Sequence, residues 1–200
     1  VSADWQYVPG YDRFSKTQLV LNVNKALKKE FAENFGAKSG RVVAEFGYQH
    51  SSVPVANVSS TGALNSMLYG RGFIFGLPVS SANCNASGSA GTNPQPQGCN
   101  VDGFFTPNAY GYRLRASLDY INVLGTEWSA TPGIYFAHDV KGYSVDGQFN
   151  QGRKTVALSL AMNYKKAHEV GIAYTTYSNS AAYDVLKDRD NLVAVYRYKF

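Results

Sequence analysis

Seven stretches of the chain alternate between apolar and polar at every second residue, the period of a strand that has different surroundings on its two faces. Thr17–Val23 sets Leu19, Leu21 and Val23 on one face, and Val42–His50 sets Val42, Ala44, Phe46 and Tyr48. Tyr110–Tyr120 carries Tyr110, Tyr112, Leu114, Ala116, Leu118 and Tyr120 against Gly111, Arg113, Arg115, Ser117 and Asp119. Trp128–His138, Val156–Tyr164 and Val170–Thr176 repeat the pattern, with Gly, Ala, Ser, Thr and Asn filling much of the second face. The last stretch, Leu192–Phe200, alternates to the final residue. Pro132 falls inside the fourth stretch, where a missing backbone donor predicts a bulge.

Several of these strands reach about ten residues, the length that crosses a bilayer when tilted. Aromatic residues recur near the ends of the apolar faces, as in the interfacial girdles of membrane barrels. A soluble sandwich or lipocalin-like barrel is the alternative, but it gives no reason for a second face of small residues with interspersed arginines. The final strand, with Tyr196, Tyr198 and Phe200, resembles the C-terminal signal that outer-membrane β-barrels present to their assembly machinery. The connections at 25–40, 51–108, 122–127, 140–153, 165–169 and 179–189 alternate short and long, apart from an extended first one. Short periplasmic turns and longer outer loops produce that alternation, with Phe200 on the periplasmic side.

The expected fold is therefore all-β: a transmembrane antiparallel up-and-down β-barrel, one domain over residues 1–200 with a long extracellular loop at 51–108. Seven strands is an odd count, whereas single-chain bacterial barrels are even. The chain then reads as the C-terminal part of a larger barrel, unless the alternating Trp5, Tyr7 and Pro9 begin an eighth strand. The segment KALKKEFAENFG, residues 25–36, reads equally as a long turn or as a short amphipathic helix. The helix would set Ala26, Leu27, Phe31 and Phe35 together and stop at Gly36.

Composition narrows the function classes. The net charge of +5 is spread along the chain with no Lys/Arg cluster, which speaks against a nucleic-acid surface. No apolar run approaches the length of a transmembrane helix. Val1 is not followed by the basic and apolar regions of a secretory leader, so the leader is expected to have been cleaved or the chain to be part of a longer one. Cys84 and Cys99 lie in a loop rich in Gly, Ser, Asn and Pro, and read as a disulfide of an oxidising compartment rather than as free thiols.

Three longer motifs, GYRLRASLDYINVLGTEWSATPGIYFAHDVKGYS, GQFNQGRKTVALSLAMNY and YDVLKDRDNLVAVYRYKF, occur in this order. With VPGYDRFSKTQLVLNVNKAL and GRVVAEFGYQH before them, the chain resembles the C-terminal third of the proteobacterial outer-membrane proteins grouped as domain-of-unknown-function family 1302. The resemblance covers most of the chain outside the loop around Cys84 and Cys99. It implies a bacterial outer-membrane location and envelope transport of hydrophobic or lipid-like cargo. It also implies periplasmic or inner-membrane transport partners, and no catalytic residue comes with it.

Parity places Glu45, Arg113, Arg115, Asp119 and Arg197 on the inner face as lumen charges, which would set a field across a pore or brace the wall. In the long loop, LYGRGFIFGLP (residues 68–78) is an apolar run that is costly to expose, so Arg71, Phe73 and Phe75 are candidates for a lid or constriction. His50 and His138 fall on the lipid-facing parity and His168 in a turn. His138 and the adjacent Asp139 point opposite ways, so no catalytic triad is expected. Asp184, Asp188 and Asp190, interleaved with Lys187 and Arg189, read as a solvated, salt-bridged loop rather than a calcium site.

The expected function is a passive channel or conduit for hydrophobic or amphipathic cargo, with no cofactor and no metal. Its partners are outer-membrane lipid and lipopolysaccharide and the barrel assembly machinery. The alternatives are a structural or adhesive surface protein and, more remotely, a lipid-modifying enzyme.

Overall fold

The structure is a computed structural model and describes residues 11–56, 69–71 and 102–200. The alternating segments form seven strands: β1 (Lys16–Ala26), β2 (Ser39–Ser51), β3 (Asn108–Asp119), β4 (Trp128–Lys141), β5 (Lys154–Tyr164), β6 (His168–Tyr177) and β7 (Asn191–Tyr198). They make one antiparallel sheet in chain order, with β1 and β7 at its two edges, so the sheet is not closed. Among the described residues no helix is long and apolar enough to cross a membrane.

The register lines up the two faces across the whole sheet. Val23, Ala44, Leu114, Phe136 and Val156 stand opposite one another in one continuous row. The next row, on the other face, runs Asn22, Glu45, Arg113, Ala137 and Thr155. A one-residue slip at any interface would mix the two sets. Among the described residues no second layer covers the apolar face: Leu21, Leu158 and Ile172 remain 57, 53 and 45% exposed.

Pro132 does not make a bulge. It stands in register with Leu160 of β5, and Tyr120 and Ala130 resume pairing with β3 in the register that joins Ser117 to Gly133. Tyr120 and Ala130 exchange both backbone hydrogen bonds, so two residues further on Pro132 faces Leu118 where a donor would point. Its effect is one missing bond without an added residue. The register shift of β3 against β4 lies instead at Tyr110/Gly111, where Gly111 pairs Asp139 and Tyr110 pairs Lys141. A Cβ on Gly111 would come within 2.5 Å of the His138 carbonyl oxygen.

Two further boundaries differ from the sequence reading. β7 stops at Tyr198, leaving Phe200 beyond the ladder and fully exposed. His168 opens β6 rather than lying in the turn, because Lys165 and Lys166 both adopt positive φ and close a tight hairpin through Ala167 N–H to Tyr164 O at 3.0 Å.

The connections differ in how they pack. The β1–β2 connection holds a short helix, α1 (Lys29–Glu33), ended by Gly36 at φ +70°. Its buried side chain is Ala32, with Ala37 just after it, whereas Phe31 and Phe35 stay half exposed. Of the two readings of this segment the helix is present, shorter than its spacing suggested; Ala26 belongs to β1, and the two phenylalanines are not its core. At the opposite end the connections β2–β3, β4–β5 and β6–β7 bury Val53, Phe104, Tyr143, Phe149, Ala181 and Tyr183 together with Arg71 and Asp184. Most of the buried side chains thus sit in these loops and the strand ends beneath them, not on either face of the sheet.

Candidate functional site

Glu45, Arg113, Arg115, Asp119 and Arg197 all fall on the polar face, as their parity requires, but they do not form one ladder. Arg113 and Glu45 are direct cross-strand partners, 3.6 Å apart. Arg115, two residues on, stands between Val43 and Tyr135, and among the described residues no acid lies within ion-pair distance of it. Asp119 is engaged at the α1 end, accepting from Ser39 Oγ at 2.9 Å and Thr131 Oγ1 at 3.0 Å. Arg197 is 3.9 Å from Glu169, which Lys199 also contacts.

The same face carries three recesses. One of about 480 Å³ is lined by Glu45, Arg113, Arg115, Tyr135, Ser159 and Thr175 among others. A second, of about 320 Å³, lies beside Arg113, Tyr135, Asp139, Arg153, Thr155 and Tyr177. The third, of about 450 Å³, runs along Thr131, Ala161, Glu169, Gly171 and Arg197 toward the α1 end. Small side chains on β5 and β6 leave this volume: Ala157, Ala161, Gly171 and Ala173 are floor positions.

The β4–β5 connection, residues 142–153, folds back over this face. Phe149 is buried against Gly47, where a Cβ would stand 3.0 Å from its Cζ. Arg113 lies over the Phe149 ring, 5.5 Å from its centre, and points toward the Gln148 carbonyl. The loop is tied to β1 and β2 by Lys16 Nζ to Asp146 at 2.7 Å, Gln18 to Gln148 at 3.1 Å and Gln49 to Asp146 at 2.9 Å. Burial works against ionisation of Asp146, but Lys16, Ser144, the Gln148 N–H and Gln49 outweigh it and hold its pKa down at about 2.

Arg153 is the hub of this cap. Its guanidinium reaches Asp139 at 2.7 Å and Asp184 at 3.8 Å, and it donates to the Gln148 carbonyl at 2.9 Å. Both carboxylates are buried, with side-chain exposures of 4 and 0%. Asn150 Nδ2 donates to Tyr183 O, and Tyr143 packs edge-on to Tyr183. Burial first, then the charges of Asp102 and Tyr183, push the Tyr143 hydroxyl up to about 12, with Arg71 opposing.

Arg71, a lid candidate, is buried in this cluster, stacked over Tyr183 at 4.8 Å and Phe104 at 5.4 Å. Phe73 and Phe75 lie outside the described residues, as do Cys84, Cys99, Trp5, Tyr7 and Pro9. The acidic loop is not uniformly solvated: Asp184 is buried on Arg153, while Asp190 binds the Tyr177 N–H at 3.0 Å and the Tyr174 hydroxyl at 2.9 Å. These contacts, led by the Tyr177 N–H, lower the Asp190 pKa. His138 stands edge-on to Tyr112, on the face opposite its neighbour Asp139. His50 meets Asn108 and His168 meets the Tyr196 hydroxyl, both at 2.9 Å. Among the described residues no three His, Cys, Asp or Glu gather as metal ligands.

Arg153 and Phe149 were not singled out by the alternation, because they lie in a connection. The available signal was one large apolar residue, Phe149, inside the otherwise polar GQFNQGR.

The family described as Protein of unknown function (DUF1302) matches the chain over residues 2–200. No curated protein matches it, and no solved structure matches it.

Proposed function

The chain belongs to this family of unknown function, and we propose that it is a stretch of bacterial outer-membrane barrel wall whose charged face lines a conduit. The observation that carries this reading is the uncovered apolar face with its banding. At the α1 end a row of Trp128, Tyr164, His168 and Tyr198 crosses β4 to β7. At the far end stand Tyr48, Tyr110, Tyr112, Phe136 and His138. Between them the face is aliphatic: Ala44, Leu114, Ala116, Ile134, Leu158, Leu160 and Ile172.

Trp128 and His138 on β4 are ten residues apart, about 34 Å along a strand rising ~3.4 Å per residue. Tilting the strand by ~40° reduces this to about 26 Å, the height of the outward apolar band of an outer-membrane barrel. A contiguous exposed apolar face marks an interaction surface, and lipid is its natural cover. In lipid the edges of β1 and β7 need partners, so the conduit is completed by further strands.

The polar face suits passage of an amphipathic cargo. Its recesses have Ala, Gly, Ser and Thr floors for an apolar body, and Arg113 and Arg115 for a negative head group. The cap formed by residues 142–153 narrows that face at one end. No catalytic role, cofactor or metal enters this reading. Outer-membrane lipid, lipopolysaccharide, the assembly machinery and envelope transport components are its partners, and Cys84 and Cys99 pair as a disulfide outside the membrane.

The test is conductance of the intact protein in planar bilayers. Stepwise ion current is expected, and Arg115→Glu should shift its selectivity toward cations. A sealed protein with no conductance and no uptake of amphipathic solutes would instead favour a structural or adhesive surface role, for which the buried loop cluster would be the contact platform.

A further inference from the structure

The β1–β2 connection is turned toward the apolar face. A Cβ on Gly40 would lie 2.7 Å from Leu118 Cδ2 and 2.8 Å from Leu27 Cδ1, so the three meet closely on that side. The Tyr120 hydroxyl, on the same face, donates to the Phe35 carbonyl at 3.0 Å. Ala32 and Ala37 are buried beneath, and this leaves Phe31 and Phe35 outermost, ring centres 5.3 Å apart and 50 and 56% exposed.

Charge surrounds this pair. Residues 25–38 carry four lysines, Lys25, Lys28, Lys29 and Lys38, against Glu30 and Glu33. Glu33 is engaged by Lys29 at 3.5 Å. Lys25, one residue before the end of β1, lies on the apolar face opposite Val42. A lysine there lays its stem along apolar surface and brings its ammonium to the polar boundary. The connection stands at the same end of the sheet as the aromatic row of Trp128, Tyr164, His168 and Tyr198.

We propose that this connection is a lipid-binding foot. Phe31 and Phe35 seat at the boundary between head groups and acyl chains of an anionic phospholipid leaflet, and Lys25 and Lys28 contact its phosphates. Exposed aromatic rings beside lysines are the combination that such an interface stabilises. A protein partner would cover the pair equally well, but the excess of cations and the position at the same end of the sheet as the aromatic row favour lipid. The inference rests on the membrane reading above and adds to it a site and a lipid class.

Depth-dependent quenching tests it. In the full chain with Trp5→Phe and Trp128→Phe, a single tryptophan is placed by Phe35→Trp, by Phe31→Trp as a second variant, or by Leu158→Trp as a mid-band reference. Each protein is folded into phosphatidylcholine vesicles with or without phosphatidylglycerol, containing lipid brominated near the carbonyl or deep in the chain. The expected result is loss of fluorescence at positions 31 and 35 with shallow bromine, stronger when phosphatidylglycerol is present, and loss at 158 with deep bromine. Quenching at 158 but at neither 31 nor 35 would overturn the foot while leaving the membrane reading intact, and would point to a protein partner. Absence of quenching at all three would overturn both. Quenching at 31 and 35 that phosphatidylglycerol leaves unchanged would overturn the anionic preference.

Discussion

Phe149, from the β4–β5 connection, closes on Gly47 in the interior of β2, so tightly that a Cβ at 47 would meet its ring at 3.0 Å. The loop therefore packs on the polar face through a position where the strand offers no side chain. Gly47→Ala should force the ring to shift by a few tenths of an ångström. Gly47→Leu should displace the loop at a cost of about 1–3 kcal/mol, typical of overpacking. Faster proteolysis within residues 142–153 and faster amide exchange at Phe149 would register the displacement, and an unchanged rate in Gly47→Leu would contradict it.

Arg153 holds two buried carboxylates, and its removal should be worse than removal of either acid. Arg153→Leu takes from the buried Asp139 and Asp184 the guanidinium that reaches both, and breaking a buried pair in this way costs about 3–5 kcal/mol. Asp139→Asn keeps the shape and some of the hydrogen bonds and should cost less. Urea titration of the folded protein, followed by tryptophan or loop probes, gives the order.

The cap should loosen in acid through Asp146. Its carboxyl has a pKa of about 2 in the folded chain against an ordinary value near 3.8. A depressed pKa contributes stability that is present above the ordinary value and lost as pH falls toward the depressed one. The window is therefore from about pH 4 down to about pH 2, and the shift corresponds to about 2 kcal/mol. Amide exchange at Gln148, whose N–H donates to Asp146, should accelerate across that window. In Asp146→Asn this step should vanish.

The Glu45–Arg113 pair should matter little for stability. Both side chains are about a third exposed, and pairs of that kind contribute below about 1 kcal/mol. Arg113→Gln or Glu45→Gln should move the unfolding midpoint only slightly. In the conduit reading the two changes should shift ion selectivity in opposite directions. A large loss of stability in Glu45→Gln would show that the pair braces the wall.

Cys84 and Cys99 should resist alkylation in denaturant until a reductant is added, and mass spectrometry would then show two labels. A disulfide closing a loop of this size contributes about 3 kcal/mol by chain-entropy reasoning. Labelling without reductant would mean free thiols.

The number of described strands, their antiparallel order and the membership of each face were legible in the sequence. Strand alternation depends only on backbone geometry, so Glu45, Arg113, Arg115, Asp119 and Arg197 could be assigned to one face without coordinates. Pro132 was misread because its effect depends on which neighbour its nitrogen faces, and that is a property of the pairing. The grouping of the charges was not legible either. Asp119 and Arg197 share parity with Arg113, yet each is taken up by its own neighbours at the α1 end, since parity says nothing of distance along or across the sheet.

The loops lay furthest from a local reading. GQFNQGR carries no periodic pattern, and a lone Phe or Arg in a polar connection has the same sequence whether it is solvated or packed. The chain by itself determined a two-faced sheet of up-and-down strands, because each residue's side is set by its immediate neighbours. Only the tertiary structure decided that Arg153 would bind Asp139 and Asp184, and that Phe149 would close on Gly47. Those contacts join segments of the chain whose approach depends on the register and curvature of the whole sheet.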